Sequence, residues 1–320
     1  MAGDGEFDFI HKRLLPLMEG DPAGLDLADD AALLSHGPGE EFVLACDTLI
    51  AGVHFLQTDA PAVVAGRALR SNLSDLAAMG ATPRAYLSAL SWPAALPDAW
   101  RSAFVDGLAR EQARFGLVLV GGDTTATPGP LTISLTLVGS LPAGAALRRA
   151  GASVGEDVWV SGMIGDATLG LEVARGDASM PAACRPAYER PEPRLELGQA
   201  LRGVATSAVD ISDGLLADAG HIAAASRCRL VLDVDTVPVS TAASGWLAAG
   251  GGLERLLSGG DDYELLFTAP PTQRPAIAAI GRDLGLNLTR IGRVEAGSGL
   301  LARRADGTRF ETVRTGFTHF

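Results

Sequence analysis

The chain has 320 residues, of which 47% are apolar, and 38 acidic against 26 basic residues give it a net charge of -12. This length exceeds what a single core usually holds, so two domains are expected. Because phosphate contacts need a basic surface, the acidic excess disfavours nucleic acid and anionic membranes as partners. Lys12 is the single lysine of the sequence, so anions must be bound by arginine, backbone N–H groups or metal ions.

The three cysteines, Cys46, Cys184 and Cys228, are widely spaced and form no CxxC pair. This pattern is typical of reduced intracellular thiols and not of a disulfide framework or a zinc site. The N-terminus is acidic and lacks a hydrophobic signal core, and no run of about 18 apolar residues could cross a membrane. We therefore predict a cytoplasmic protein with no membrane partner.

Hydrophobic periodicity in the first half predicts alternating helices and strands. A proline in the first turn of the helix at 61–79 and Gly116 at the end of the next helix are typical boundaries. The predicted elements are a helix at 5–18, a strand at 41–46, a helix at 61–79, a strand at 84–93, a helix at 97–116, and strands at 117–123 and 130–141. A small, flexible segment at 142–157 follows. We predict a domain boundary there, between an N-terminal domain at 1–145 and a C-terminal domain at 146–320.

The second half alternates in the same way, so each half is predicted to form an α/β or α+β unit. The predicted elements are a strand at 157–162, a helix at 165–176, a strand at 207–212, a helix at 213–227, strands at 229–235 and 262–270, a helix at 274–285 and a strand at 288–294. Residues 176–194 are rich in proline, which predicts an irregular segment and leaves open a mobile flap.

Most acidic residues are scattered over helix surfaces, but one subset lies where strands meet loops. Its members are Asp29, Asp30, Asp47, Asp123, Asp210, Asp213, Asp261 and Asp262. Asp75 lies on a helix three residues after Asn72, so the two side chains share one face. Aspartate is also favoured at helix caps and turns, and each of these acids alone fits such a structural role.

As a set, these acids favour a metal site, because clustered carboxylates repel one another unless a cation lies among them. Oxygen ligands on flexible loops suit Mg²⁺, which readily takes phosphate oxygens as further ligands. The sequence therefore predicts a site that binds phosphates through magnesium. The Walker A motif, the nucleophile elbow, the H-E-x-x-H helix and the kinase H-R-D loop are absent, and the five histidines are dispersed.

Five motifs in fixed order then identify a family. They are "DTLIAGVHF", "NLSDLAAMGATP", "GGDTT", "DISDGLLADAGH" and "LSGGDDYELLF". Their order and spacing resemble bacterial thiamine-monophosphate kinases, over nearly the whole chain. The resemblance implies a mixed α/β, two-domain fold like that of AIR synthetase, with an N-terminal sheet that contributes to a homodimer interface. It also implies ATP-dependent phosphorylation of thiamine monophosphate to thiamine diphosphate, by direct in-line transfer assisted by several Mg²⁺ ions.

The same resemblance assigns candidate site residues. The positions that match the family's metal ligands are Asp30, Cys46, Asp47, Asp75, Asp123, Asp210 and Asp213. The positions that match ATP contacts are Gly122, Asp123, Arg149 and Ser212. The positions that match substrate contacts are His54, Asp261 and Phe317. From the residues alone, His54 also fits a half-buried strand residue, Phe317 fits an anchor for the C-terminal tail, and Arg67 and Arg70 fit structural ion pairs.

The chain departs from the family's pattern before Asp47, where Ala45 and Cys46 replace a Ser-Thr pair. A metal contact by Cys46 would therefore use its backbone carbonyl. Asp261 stands where glutamate is usual, and Ala28 where glycine is usual. Two alternatives stay open: another ATP-dependent member of the superfamily, and a homologue that binds nucleotide or thiamine diphosphate without catalysis. A monovalent cation as a further cofactor also stays open.

Overall fold

A computed structural model describes residues 32–35, 38–313 and 315–318. The helix predicted at 5–18 and the predicted metal ligand Asp30 lie outside the described residues. Among the helices that are described, none has the length and apolar character needed to cross a bilayer.

A five-stranded sheet forms the N-terminal half. Its strands are β1 (Ala32–Ser35), β2 (Glu40–Ile50), β3 (Thr82–Pro93), β4 (Val118–Thr127) and β5 (Thr132–Pro142). They lie in the order β1-β2-β5-β3-β4, and only β3 and β4 run parallel. Helix α1 (Pro61–Ala78) packs on this sheet, and α2 (Asp98–Phe115) packs on α1. Alternate residues of β5, such as Leu135 and Leu137, are fully buried because the pleat directs every second side chain to the core.

A six-stranded sheet forms the C-terminal half. Its strands are β6 (Asp157–Ser161), β7 (Ser207–Asp210), β8 (Arg229–Asp233), β9 (Leu265–Ala269), β10 (Leu288–Glu295) and β11 (Gly299–Arg303). They lie in the order β11-β8-β10-β6-β9-β7. The helices are α3 (Asp166–Ala174), α4 (Arg185–Glu189), α5 (Leu195–Leu201), α6 (Leu215–Ala225), α7 (Thr241–Ala248), α8 (Leu253–Leu257) and α9 (Arg274–Leu284). The mixed α/β class with two sheets agrees with the prediction.

The two halves share an apolar contact. The core of the first sheet continues into the second half through Leu197, Leu201 and Phe267. Helix α1 is central to this contact, because it packs on its own sheet and also on α5 and β7. The two sheets separate at residues 143–156, the segment in which the domain boundary is predicted.

Several predicted elements need correction. The strand predicted at 41–46 continues to Ile50, and the strand predicted at 262–270 begins only at Leu265, after a tight turn. The segment at 176–194 is not irregular throughout, since it contains α4, on which Tyr188 is 1% exposed. Strands β1 and β11 and helices α5, α7 and α8 were not predicted, because each has eight residues or fewer, too few to show a clear periodicity.

Candidate active site

Strand β2 places Asp47 between two core residues. Ala45, Asp47 and Leu49 point to the same face because side chains alternate along a strand. Ala45 and Leu49 are 3% and 5% exposed within the core, whereas Asp47 between them is half-buried. The side chain of Ala45 therefore takes no part in the site. Cys46 points to the opposite face, is exposed, and accepts a hydrogen bond from the Thr136 hydroxyl at 3.4 Å.

Helix α1 connects Asp47 to the second sheet. The side-chain oxygen of Asn72 accepts the backbone N–H of Asp47 at 2.9 Å, and Asn72 is fully buried. Two residues on, the hydroxyl of Ser74 donates to Asp210 at 2.6 Å. Asp75 follows Ser74 and is half-buried. Three predicted metal ligands, from β2, α1 and β7, are thus linked through one helix.

The turn between β7 and α6 carries Asp213. The buried carboxylate of Asp218 accepts the backbone N–H groups of Asp213 and Gly214, at 3.2 and 3.1 Å, which fixes the turn. One ligand atom each of Asp213, Asp218 and His221 lies within 4.8 Å of the others. The carboxylate oxygens of Asp213 and Asp218 suit a hard divalent cation such as Mg²⁺, whereas the imidazole nitrogen of His221 does not.

A cavity of about 690 Å³ lies between the two halves. Its lining includes seven predicted site residues, which are Cys46, Asp47, His54, Ser212, Asp213, Asp261 and Phe317. Residues that sequence reasoning did not assign also line it, among them Arg67, Arg175, Arg255 and Tyr263. A cavity of about 870 Å³ beside Trp246 is larger, but it includes none of the predicted residues. The smaller cavity is therefore the candidate site.

His54 is held in one tautomer when neutral. Its Nδ1 accepts the backbone N–H of Ile50 at 3.0 Å, so the proton of the neutral ring is on Nε2. Its carbonyl oxygen accepts from the Arg67 guanidinium at 3.0 Å. His54 is half-buried as expected, but it lies in a turn after β2 and not in a strand, and its predicted contact with the substrate stays a prediction.

Asp261 is held by two donors. The Tyr263 hydroxyl donates to one carboxylate oxygen at 3.1 Å, and Nη2 of Arg67 donates to the other at 3.0 Å. Burial raises the pKa of Tyr263 well above its ordinary value, so the phenol keeps its proton. Burial alone would lower the pKa of Arg67, but the charge of Asp261, the neighbouring Tyr263 and Tyr188 and the hydrogen bond to Asp261 together raise that pKa, so Arg67 stays cationic.

The turn that carries Asp261 is conformationally unusual. Asp261 has φ 64° and Tyr263 has φ 51°, in the left-handed region that is unfavourable for residues other than glycine. Gly260 precedes them with φ 76°, and a Cβ there would clash with the backbone of Ser212. The backbone N–H of Asp261 donates to the Ser212 carbonyl at 2.8 Å, which holds the turn against the residues after β7.

The neighbouring acid, Asp262, faces away from solvent. One of its oxygens accepts the backbone N–H of Gly165 at 2.9 Å. The other oxygen is buried, with no hydrogen-bond partner among the described residues. Burial raises the pKa of Asp262 well above its ordinary value. A carboxyl group whose pKa is raised in this way binds a metal ion less readily, because a metal ligand must be deprotonated.

Gly122 and Asp123 lie on β4, away from the cavity lining. Gly122 is in register with Ser88, which pairs with Leu135, which pairs with Asp47. Three strand spacings separate the two ends of this row, or about 14 Å along the sheet. Within one chain the sheet therefore keeps Asp123 distant from Asp47. The sequence needs glycine at 122, because a Cβ would clash with the Ser88 carbonyl oxygen.

Arg149 is also outside the cavity lining. Its carbonyl oxygen accepts from the Ser226 hydroxyl at 3.1 Å, next to the end of α6. Its predicted contact with ATP stays a prediction, as do those of Gly122 and Asp123.

Comparison with protein families matches both halves of the chain. The profile of "AIR synthase related protein, N-terminal domain" matches residues 28–141, and that of "AIR synthase related protein, C-terminal domain" matches residues 154–302. Together the two profiles cover both sheets.

Curated relatives match over most of the chain. The thiamine-monophosphate kinase of Caulobacter vibrioides is 44% identical over 302 residues, which cover 93% of this chain and 86% of the relative. The thiamine-monophosphate kinase of Salmonella typhimurium is 41% identical over 299 residues, covering 92% and 91%.

Solved structures agree in fold. AaThiL complexed with AMPPCP and TMP superposes with a TM-score of 0.86 and 31% identity, covering 99% of this chain and 97% of that one. The thiamine-monophosphate kinase of Stenotrophomonas maltophilia gives a TM-score of 0.79 and 41% identity, covering 95% and 98%. HypE of E. coli, a hydrogenase maturation protein, has a TM-score of 0.73 at 20% identity and shows the fold alone.

Proposed function

The chain belongs to the thiamine-monophosphate kinase family of AIR synthase related proteins, and we propose on this basis that it transfers the γ-phosphoryl group of ATP to thiamine monophosphate. The product is thiamine diphosphate, and the chain is a phosphotransferase of thiamine biosynthesis. The observation that carries the proposal is the cavity in which Asp47 and His54 of the first half meet Asp213 and Asp261 of the second.

The acceptor needs little activation, because it is an ionised phosphate oxygen. Positioning and charge neutralisation can then supply most of the rate, with in-line attack and no covalent enzyme intermediate. His54 would donate from Nε2 to the substrate, and Asp261 would accept from it. The ring of Phe317, 47% exposed, would stack on a flat face of the thiamine.

Magnesium is proposed as the cofactor. The residues that would hold it are Asp30, Asp47, Asp75, Asp123, Asp210, Asp213 and the backbone carbonyl of Cys46. Bound there, the ions would neutralise phosphate charge in a cavity that is otherwise acidic. ATP would be held by Gly122, Asp123, Arg149 and Ser212, with the Arg149 guanidinium suited to bidentate phosphate contact. A monovalent cation is not part of this proposal.

A homodimer in the cytoplasm is proposed, with the domain division at 145 and 146. Support for the dimer comes from the open side of β4, where Val118, Leu119 and Val120 are 54%, 48% and 60% exposed. Apolar edge strands of this length are normally covered. A second copy that pairs through the same sheet would cover them.

The decisive experiment incubates the purified chain with ATP, Mg²⁺ and thiamine monophosphate and separates the products by chromatography. We expect thiamine diphosphate and ADP in equal amounts, and none when unphosphorylated thiamine replaces the substrate. ATP binding without thiamine diphosphate would favour the non-catalytic alternative. Transfer to a different acceptor would favour another activity of the superfamily.

A further inference from the structure

We infer that Arg67 is a positioning residue, which holds His54 of the first half and Asp261 of the second half at one fixed spacing and thereby sets the affinity for the phosphorylated substrate. The inference rests on the proposed function, since both residues are proposed substrate contacts. Sequence reasoning left Arg67 as a structural ion-pair residue of α1.

The hydrogen bonds of one guanidinium nitrogen connect the two contacts. Nη2 of Arg67 donates to the His54 carbonyl oxygen and to a carboxylate oxygen of Asp261, each at 3.0 Å. Both hydrogens of Nη2 are thus used. Because the guanidinium is planar and rigid, the two acceptors cannot move apart without breaking one of these bonds.

A third segment fixes the guanidinium itself. Nη1 of Arg67 donates to the carbonyl oxygen of Tyr188 on α4, and the guanidinium carbon lies 4.2 Å from the centre of the Tyr188 ring. The Tyr188 hydroxyl in turn donates to Asp59 at 2.6 Å and accepts the backbone N–H of Leu56 at 3.2 Å. The loop that contains His54 is therefore attached to α4 independently of Arg67.

Arg67 acts on the substrate through these residues. Its side chain is 3% exposed, although it borders the cavity. Loss of its bonds would detach Asp261 from the first half, although the Tyr263 hydroxyl would still donate to it, while Tyr188 would still hold the loop that contains Leu56 and Asp59. The expected result is a wrong spacing of His54 and Asp261 in a folded protein.

Arg70 provides a matched control. It lies one turn further along α1, is 2% exposed, and donates to Glu111 at 2.8 Å, to Glu192 at 2.9 Å and to the Pro191 carbonyl oxygen at 3.0 Å. It too ties α1 to the chain near α4, but none of these partners lines the candidate cavity. Arg67→Lys and Arg70→Lys therefore remove equally buried guanidinium groups, and only one of them holds the substrate contacts.

The test compares steady-state kinetics of Arg67→Lys, Arg70→Lys and the unchanged chain. Lysine keeps the charge but cannot reach all three acceptors of Arg67. We expect Arg67→Lys to raise KM for thiamine monophosphate at least about 10-fold, with KM for ATP and kcat within about 3-fold, since misplaced binding groups mainly weaken binding. Arg70→Lys should lower Tm to a similar degree and leave both KM values within about 2-fold.

Equal KM values for the two lysine variants would overturn the inference, as would a loss confined to kcat. If Arg67→Lys does not fold, Arg67→Gln decides, because it removes the guanidinium and leaves both proposed substrate contacts in the chain, and it should raise KM in the same way. If the unchanged chain makes no thiamine diphosphate, the proposed function is wrong. Calorimetric binding of thiamine monophosphate without ATP then tests Arg67 alone, and equal dissociation constants for all three proteins would refute its role.

Discussion

The hydroxyl of Ser74 donates to a carboxylate oxygen of Asp210 at 2.6 Å, and both side chains are buried between the two sheets. Ser74 lies on α1 and Asp210 ends β7, so this bond joins the halves of the molecule next to the candidate cavity. Hydrogen bonds to an ionised carboxylate are about twice as strong as neutral ones. The pair therefore serves both stability and the placement of an acid in the site.

Ser74→Ala should destabilise the fold by about 1–3 kcal/mol, because it removes a donor from a buried carboxylate. Urea unfolding measures the loss. Ser71→Ala is the control, since Ser71 is 4% exposed on the same helix and its hydroxyl donates to the Ala68 carbonyl at 3.4 Å. Equal losses for the two variants would show that the bond to Asp210 has no special weight.

Asp213→Asn should reduce turnover by about 10²-fold or more while the fold is kept, because an amide is a poorer ligand for a hard cation than a carboxylate. Part of the activity should return as the Mg²⁺ concentration rises. Turnover over a series of Mg²⁺ concentrations measures both effects. Asp98→Asn removes an acid that is 94% exposed on α2, and it should leave the Mg²⁺ dependence unchanged.

Cys46→Ala should keep turnover within about 3-fold, because the proposed metal contact of Cys46 is its backbone carbonyl and magnesium prefers oxygen to sulfur. The measurement is the ratio of activities with Mg²⁺ and with the thiophilic ion Cd²⁺, before and after the substitution. A Cd²⁺ preference that disappears in Cys46→Ala would mean that the sulfur itself is a ligand.

Asp262→Asn should raise stability relative to the unchanged chain as the pH increases. The pKa of Asp262 is raised in the folded state, so above about pH 4 the unfolded chain ionises first and the folded chain loses relative stability. The unchanged chain loses at most about 1.4 kcal/mol of unfolding free energy per pH unit, and the Asp262→Asn chain does not, because asparagine has no carboxyl group to ionise. The amide of asparagine also retains an oxygen that can accept the backbone N–H of Gly165.

Urea unfolding at pH 5 and at pH 8 measures the stability difference between Asp262→Asn and the unchanged chain. A stability difference between the two proteins that is the same at pH 5 and at pH 8 would contradict the raised pKa of Asp262. Asp98→Asn again serves as the control, because an exposed acid should give a difference that does not change with pH.

Local patterns predicted the five described helices of nine or more residues, because their periodicity and end signals are local, but they missed the shorter ones. The helix at 61–78 begins at Pro61, and the next helix ends at Gly116 in the left-handed conformation, as the sequence implies. The resemblance also assigned seven of the residues that line the cavity. This assignment succeeded because members of one family share the positions of their site residues, whereas hydrophobic periodicity indicates only helices and strands.

Arg67 shows what the sequence could not reveal. From sequence, an arginine on an amphipathic helix is normally assigned to the surface. The partner of Arg67, Asp261, is 194 positions away along the chain. No local signal records such a pairing. The position of Asp123 was equally hidden, because the sheet order that separates β4 from β2 depends on pairing between distant strands.

The left-handed conformations of Asp261 and Tyr263 have a consequence for attempts to improve the protein. Glycine at 263 would relieve backbone strain of about 1–3 kcal/mol, but it would also delete a buried ring, whose loss costs about 3–5 kcal/mol, and with it the phenol that donates to Asp261. The strained backbone is thus retained because the ring at this position contributes more to stability than the strain removes. Directed evolution for heat resistance is therefore expected to leave Tyr263 in place, even without simultaneous selection for turnover.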